Sequence, residues 1–350
     1  MKYKLLDLLT EYKETNKDSL YEPVAVGKYG IRKRNEIYKK ELSDDYSKNK
    51  VIRNNTLIVG MGSSQIDIGV LSEDEIYSVS PAYHTYRINI QVVSSDYLDL
   101  LFKANNANYF KKYSIATARQ GKKIDLKSLL NEMVDIPSFE KQGIIVGKIF
   151  DINELIRIEE KSLSLLEELT KSRFKEMFLS RKGLPKRKWA DVLTIYNGRD
   201  YKKNVSNETE GFPVYGSGGF MGVYADRFIC EGTLIIIGRK GTIDRPILVK
   251  GKIWNIDTAF GIKTDSKVLN PVFFYYRSKF YDYKGMNKQT TKPSLTKSDL
   301  LKLDIELPSM NEQRTFVDFV EQIDKLKFNV QQRIEKYKEL LNKKMSEYFN

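Results

Sequence analysis

The chain has one cysteine, Cys230, and one histidine, His84, in 350 residues. A single thiol excludes an internal disulfide framework, and a cytoplasmic home is the simple expectation. One cysteine and one histidine also cannot supply the four ligands of a Cys/His zinc site, so no metal is expected. No apolar run reaches the ~18 residues of a membrane-crossing helix. Met1 to Thr10 alternates apolar with charged residues and has no signal-peptide core. The nine prolines include no Pro-Pro pair, which removes the Asn/Asp-Pro-Pro-aromatic run of amino-methyltransferases. There is no GxxxxGK[ST] phosphate loop, and Gly60-Met61-Gly62 is only a fragment of a glycine-rich cofactor loop. His84 has no duplicate elsewhere in the chain and reads as an ordinary polar residue rather than half of a Ser/His/Asp site. The chain is therefore expected to hold no catalytic residues and no cofactor.

What is present is apolar content for two cores and a surplus of positive charge. The hydrophobic fraction of 41% is that of a folded protein. Lys and Arg number 59 against 46 Asp and Glu, a net of +13. Such a field concentrates polyanions, which makes nucleic acid the leading candidate partner. A lysine-rich proteome can produce the same excess without an anionic partner.

The chain also repeats itself. Residues 120–179 align without a gap on residues 291–350, at an offset of 171. Leu129-Leu130 match Leu300-Leu301, Ile136-Pro137-Ser138 match Leu307-Pro308-Ser309, and Gln142 matches Gln313. Phe178 matches Phe349. Earlier blocks correspond at shifted offsets: Lys4–Tyr12 with Lys188–Tyr196, Thr56-Leu57-Ile58 with Thr233-Leu234-Ile235, and Tyr77–Tyr83 with Trp254–Phe260. Shifting offsets are what loops of unequal length produce between two copies of one fold. Asp67 and Asp244 are duplicated, as are Ser80 and Asp257 by position. Carboxylates at matched places suggest a metal site, but capping backbone donors in a turn is the preferred reading.

Each copy begins β-rich and ends helical. Thr56–Val59 and Thr233–Ile237 read as strands, and helices are expected near Asp96–Tyr109 and Pro271–Tyr281. The fold class is α+β: two homologous mixed α/β domains, 1–143 and 183–314, each followed by a long helix, 144–182 and 315–350. Heptad-like apolar positions mark the helices at Ile149, Ile152, Ile156, Leu163 and Leu166, and at Val320, Ile323, Val330, Ile334 and Tyr337. Glu159, Thr170 and Lys327 interrupt the stripes. Each helix of ~35 residues spans ~50 Å, too long for one domain of ~14 Å radius of gyration to cover. An antiparallel coiled-coil pairing of the two is the expected solution.

In order and in detail the chain resembles the specificity subunits of type I restriction–modification systems. The features that carry this are Tyr215-Gly216-Ser217-Gly218-Gly219, then Ile237-Gly238-Arg239-Lys240-Gly241, then Trp254-Asn255-Ile256-Asp257-Thr258-Ala259. Thr290-Thr291-Lys292-Pro293-Ser294-Leu295 and the junction Leu307-Pro308 with Glu312-Gln313 complete them. The first half departs from the pattern, with Met61-Gly62-Ser63-Ser64 and Arg119-Gln120-Gly121-Lys122-Lys123 in the corresponding places. The resemblance implies a subunit without chemistry of its own. It implies two recognition domains, each reading one half of a bipartite, asymmetric site in double-stranded DNA, and helices that set the spacing. It also implies two bound methyltransferase subunits, which hold S-adenosylmethionine, and a complex that can recruit a restriction translocase.

Phosphate contacts supply affinity and loop side chains at base edges supply specificity. Candidates in the second domain are Arg199, Lys202, Lys203, Arg239, Lys240, Arg245, Lys288 and Lys292. Tyr215 and Ser217 stand beside glycines that permit close approach, and Gln289, Thr290 and Ser294 offer donors and acceptors. In the first domain the candidates are Lys28, Arg32, Lys33, Arg34, Arg53, Arg119, Lys122 and Lys123. For any one of these lysines a solvated surface position explains the residue equally well. Two alternatives stay open: a specificity module of a type II-like fused enzyme, and a coiled-coil scaffold that reads no DNA. The fused enzyme requires catalytic domains upstream, whereas this chain is expected to open directly on its first recognition domain.

Overall fold

The computed structural model describes residues 1–27, 30–37, 45–61, 66–105, 110–116, 122–206, 211–286 and 294–349. It divides into two compact units, Met1–Glu159 with Arg333–Asn350, and Glu160–Gln332.

In the first unit, Leu9–Glu11, His84–Ile88, Thr56–Met61 and Ile66–Leu71 form an antiparallel sheet in that spatial order. A short strand, Lys2–Lys4, pairs with Met133–Asp135. The second unit repeats both features. Lys186–Lys188 pairs with Asp304–Glu306, and Leu193–Asn197, Ala259–Thr264, Cys230–Gly238 and Ile247–Asn255 follow one another in the same spatial order. Here a hairpin of Phe212–Gly216 and Gly219–Ala225 adds two strands, joined in parallel to Ile247–Asn255. The helix Pro271–Ser278 falls within its expected segment, and Ser95–Asn105 starts one residue ahead of its own.

The duplication is visible down to single hydrogen bonds. Gln142 is fully buried, donates Nε2–H to the carbonyls of Val92 and Pro137 at 3.0 Å, and accepts from the Ser94 amide at 2.8 Å. Gln313 does the same with Val268, Pro308 and Asn270, at 3.0, 3.0 and 2.8 Å. An amide side chain suits this place because it supplies both donors and an acceptor to backbone groups that burial would otherwise orphan. It ties the start of each long helix to the loop before the domain's main helix.

The long helices run Phe139–Phe174, continued by a π turn at Lys175–Leu179, and Met310–Phe349. Both start five residues before the position expected from the apolar stripe. The stripe begins only where the helix meets apolar cover, whereas the helix itself begins at its cap. Ser309 and Glu312 form a reciprocal capping box, Ser309 N–H to Glu312 at 2.9 Å and Glu312 N–H to Ser309 Oγ at 3.3 Å. Ser138 occupies the matching place, accepting from Lys141 N–H at 3.4 Å. Arg181 pairs with Glu312, and together with Ser309 it holds that carboxyl down at about 2.

Within each unit the two helices run antiparallel. In the first, Ile145 and Phe349 share one core with Leu5, Leu8, Tyr97 and Leu98. Farther along, the Glu159 carboxylate takes two hydrogen bonds from Arg333, at 2.6 and 2.9 Å. In the second, Phe174 and Phe178 face Phe316 at ring distances of 5.1 and 5.8 Å, and then comes Arg181 with Glu312. Each unit thus completes its core with the start of one helix and the end of the other. Each fully buried apolar side chain of this size contributes about 1.5–3 kcal/mol.

Ile149, Ile152, Ile156, Val320, Ile323, Val330 and Ile334 are buried as the stripe requires. Leu163, Leu166 and Tyr337 are only half-buried. The stripe's interruptions are accommodated by polar contacts. Glu159 is bonded as above, and Thr170, fully buried, returns its hydroxyl to the Leu166 carbonyl at 2.8 Å.

Candidate nucleic-acid interface

In the second unit, motifs far apart in sequence meet on one segment, Trp254 to Thr258. The Tyr215 carbonyl accepts from Ile256 N–H at 3.0 Å. The Arg199 amide donates to the Asn255 carbonyl at 3.0 Å, and the Trp254 indole donates to the Arg199 carbonyl at 2.8 Å. The amides of Arg239 and Lys240 both donate to Thr258, at 2.8 and 3.2 Å. Leu295 N–H then reaches the Arg239 carbonyl at 2.9 Å, and Lys240 bridges to Ser294. Asn255 is fully buried and holds the segment from inside, donating to Tyr196 and Ala259 carbonyls at 3.3 and 3.0 Å.

Two glycines make this convergence possible. A Cβ on Gly198 would stand 1.8 Å from the Ile256 carbonyl oxygen. One on Gly238 would stand 2.1 Å from the Thr242 carbonyl oxygen and 3.0 Å from Ser217 Cβ. Only the residue without a side chain lets these backbones approach so closely.

The result is a set of pinned loops with exposed cationic side chains. Arg199, Arg239 and Lys240 are exposed, and among the described residues none of them is held by an ion pair. Lys202, Lys203 and Arg245 are also exposed, and Tyr215, Ser217 and Ser294 are half-buried beside them in sequence or space. Asp257 is an exposed acid on the same connecting segment. Lys288, Gln289, Thr290 and Lys292 lie outside the described residues.

The first unit treats its basic residues differently. Arg53 gives two hydrogen bonds to Glu14, at 2.5 and 3.4 Å, and lies 5.7 Å from the Tyr21 ring. Lys33 pairs with Glu22 at 3.7 Å, and Arg34 lies 5.7 Å from the Tyr46 ring. Arg32 is exposed on the strand Gly30–Lys33. Lys122 and Lys123 begin the strand Lys122–Ile124, which pairs with Ser114–Ala116. Lys28, Arg119 and the Gly62-Ser63-Ser64 stretch lie outside the described residues.

Of the two duplicated carboxylates, Asp67 does not take the turn-capping role expected of it. Asp244 is on the surface, paired with Lys284 at 2.6 Å, which lowers its pKa. Asp67 lies within the strand Ile66–Leu71, opposite Gly60, and burial pushes its pKa to about 6. The folded chain therefore holds this proton more tightly than the unfolded chain, where the carboxyl titrates near 3.8. Stability from this position is greatest at acid pH and falls as pH rises through about 6. Asp67→Asn should stabilise the chain at pH 7.5 by on the order of 1–2 kcal/mol and narrow the difference between melts at pH 5 and 7.5. An undiminished difference would show that another group sets it. His84 lies 3.9 Å from Glu11, and burial together with Lys50 lowers its pKa.

Residues 182–337 match the family model described as the type I restriction modification DNA specificity domain. Those residues are thus similar to a specificity domain of that kind. The convergence at Trp254–Thr258 lies within the matched residues. Solved structures extend the likeness of fold to the whole length. A chain from work on complex assembly and conformational transition of the type I R-M system is 16% identical, with a TM-score of 0.64 over 100% of this chain and 97% of its own. The type I restriction-modification system S subunit from M. genitalium is 14% identical, with a TM-score of 0.58 over 99% and 95%. No curated protein matches the chain by sequence. Among the described residues, no helix is long and apolar enough to cross a membrane.

Proposed function

We propose that this chain is the DNA-recognition subunit of a type I restriction–modification complex, with one recognition domain for each half of a bipartite, asymmetric site. The observation that carries this is the set of pinned loops in the region similar to a specificity domain, which present Arg199, Arg239 and Lys240 without ion-pair partners among the described residues. A structural scaffold has no use for cations held ready in this way. The long helices set the distance between the two heads. Their duplicated surfaces offer two quasi-equivalent docking sites, one for each of two methyltransferase subunits. S-adenosylmethionine belongs to those partners, which perform the methyl transfer, and this chain contributes recognition alone. A restriction subunit joins the same complex where cleavage is part of its activity.

Titration with duplex DNA over a range of salt, with the methyltransferase present, tests the reading. Neutralising six to ten phosphates should weaken binding by about 10³–10⁵ between 50 and 200 mM salt. Methylated sites mapped across a genome should show two short blocks separated by bases of any identity. A salt-independent affinity, or a continuous palindromic site, would reject the two-headed reading.

A further inference from the structure

The hairpin of the second unit carries an apolar tip that the basic loops do not explain. Its strands, Phe212–Gly216 and Gly219–Ala225, are joined by Ser217 and Gly218, with Gly216 opposite Gly219 and Tyr215 opposite Phe220. Phe220 is 47% exposed and Met221 40% exposed. The Phe220 ring lies 5.8 Å from Tyr215 and 5.4 Å from Tyr224, so three aromatic rings line one side of the hairpin. The turn is seated on the cationic loop: Ser217 Oγ lies 3.3 Å from where a Cβ on Gly241 would stand. Large apolar groups left open beside cations that have no ion-pair partner among the described residues gain nothing from water. They suit a partner that is anionic outside and apolar within, which describes a DNA duplex with charged phosphates and stacked bases.

We propose that Phe220, supported by Tyr215 and Tyr224 and flanked by Met221, is a wedge that enters the duplex and opens one base step in the second domain's half-site. The inference rests on the proposed function and adds a mode of contact to it. Arg239 and Lys240 hold the phosphates alongside, and the apolar tip replaces the base-on-base stacking it disrupts. Proteins that insert Phe or Met between base steps use this exchange to deform the duplex, and sequences whose steps open easily are thereby favoured. Phe220 is then a specificity determinant that forms no hydrogen bond to any base.

The test uses the full chain assembled with its methyltransferase partner. Methylated sites are mapped first for the wild type. A motif without two blocks would remove the proposed function and the wedge together. With a two-block motif in hand, 2-aminopurine is placed at successive steps of the second block in synthetic duplexes. The wild type should raise the fluorescence several-fold at one step. Phe220→Ala should abolish that rise and weaken binding about tenfold, the usual scale for removing one aromatic ring stacked on a base. Phe220→Leu, which keeps an apolar tip, should restore part of both. Flat fluorescence at every step for the wild type overturns the wedge and leaves the two-headed reading standing, as does a Phe220→Ala protein that matches the wild type. Loss of methyltransferase from DNA-free Phe220→Ala complexes, read by mass, also overturns it, because the tip would then be a protein-docking surface.

Discussion

Phe174→Ala should destabilise the second unit by about 3–5 kcal/mol, a large effect for one substitution. Phe174 is fully buried, with Phe178, Phe273, Phe280 and Phe316 around it at 5.1, 5.4, 5.3 and 5.1 Å. Truncation removes a ring whose neighbours come from the same helix, from the domain's own helix Pro271–Ser278, from the segment after it and from the second long helix. No single one of these can collapse into the space, so most of the cavity persists. The ring interactions add a smaller loss beyond the area term. Urea unfolding of the full chain measures the effect, and Leu165→Ala provides the comparison. Leu165 lies on the same helix but is 53% exposed, and its truncation should stay within about 0.5 kcal/mol. Similar values for the two variants would mean that this helix end does not belong to the core.

The second large effect is on recognition. Arg239→Ala with Lys240→Ala should weaken DNA binding by about 1–3 kcal/mol for each base-edge interaction removed, and relax only the second domain's block of the site. The loop should keep its shape in this variant, because main-chain bonds to Thr258 and Leu295 hold it and the two side chains are exposed. A change in affinity then reports direct engagement of DNA. Gly238→Ala is the complementary variant. It keeps every charge, but its methyl group would meet the Thr242 carbonyl oxygen at 2.1 Å, which forces the loop to move. Both variants should disturb the same block in a methylation map. A change confined to the first domain's block would show that the wrong loop has been assigned.

Much of the architecture is legible in the sequence because duplication writes it twice. Gln142 and Gln313 illustrate why the offset of 171 is so regular at the helix junctions. Their amide groups satisfy three backbone groups in each copy, and few other side chains carry the required donors and acceptor. The apolar stripe is legible for a different reason, since helical periodicity reports which face is removed from water. It reports nothing about caps. The capping box at Ser309 and Glu312 is a separate local signal, present in the sequence, that the stripe alone passes over. Phe174 escapes the stripe for a related reason. It sits where the first long helix enters the second domain's core, facing that domain's helix as well as the partner helix, so its burial follows from that domain as much as from the pairing.

The basic residues mark the boundary of what composition can decide. Arg53 and Arg239 are the same residue type in corresponding halves of a duplicated chain. One is bound to Glu14, and the other has no ion-pair partner among the described residues. The difference depends on which strand lies next to which, and that is set by sheet register between residues far apart in sequence. The sequence by itself determined the duplication, the alternation of β-rich domain and long helix, most of the helix faces that are buried and the likeness to specificity domains, because each is written in local pattern or in repetition. Only the tertiary structure decided that the Tyr215, Arg239 and Ser294 segments and Arg199 meet on Trp254–Thr258, that Asp67 is buried while Asp244 is paired at the surface, and that each core is closed by the end of the other domain's helix. Those outcomes arise from contacts between distant segments, where the free energy comes from fitting several surfaces at once and no single segment carries the information.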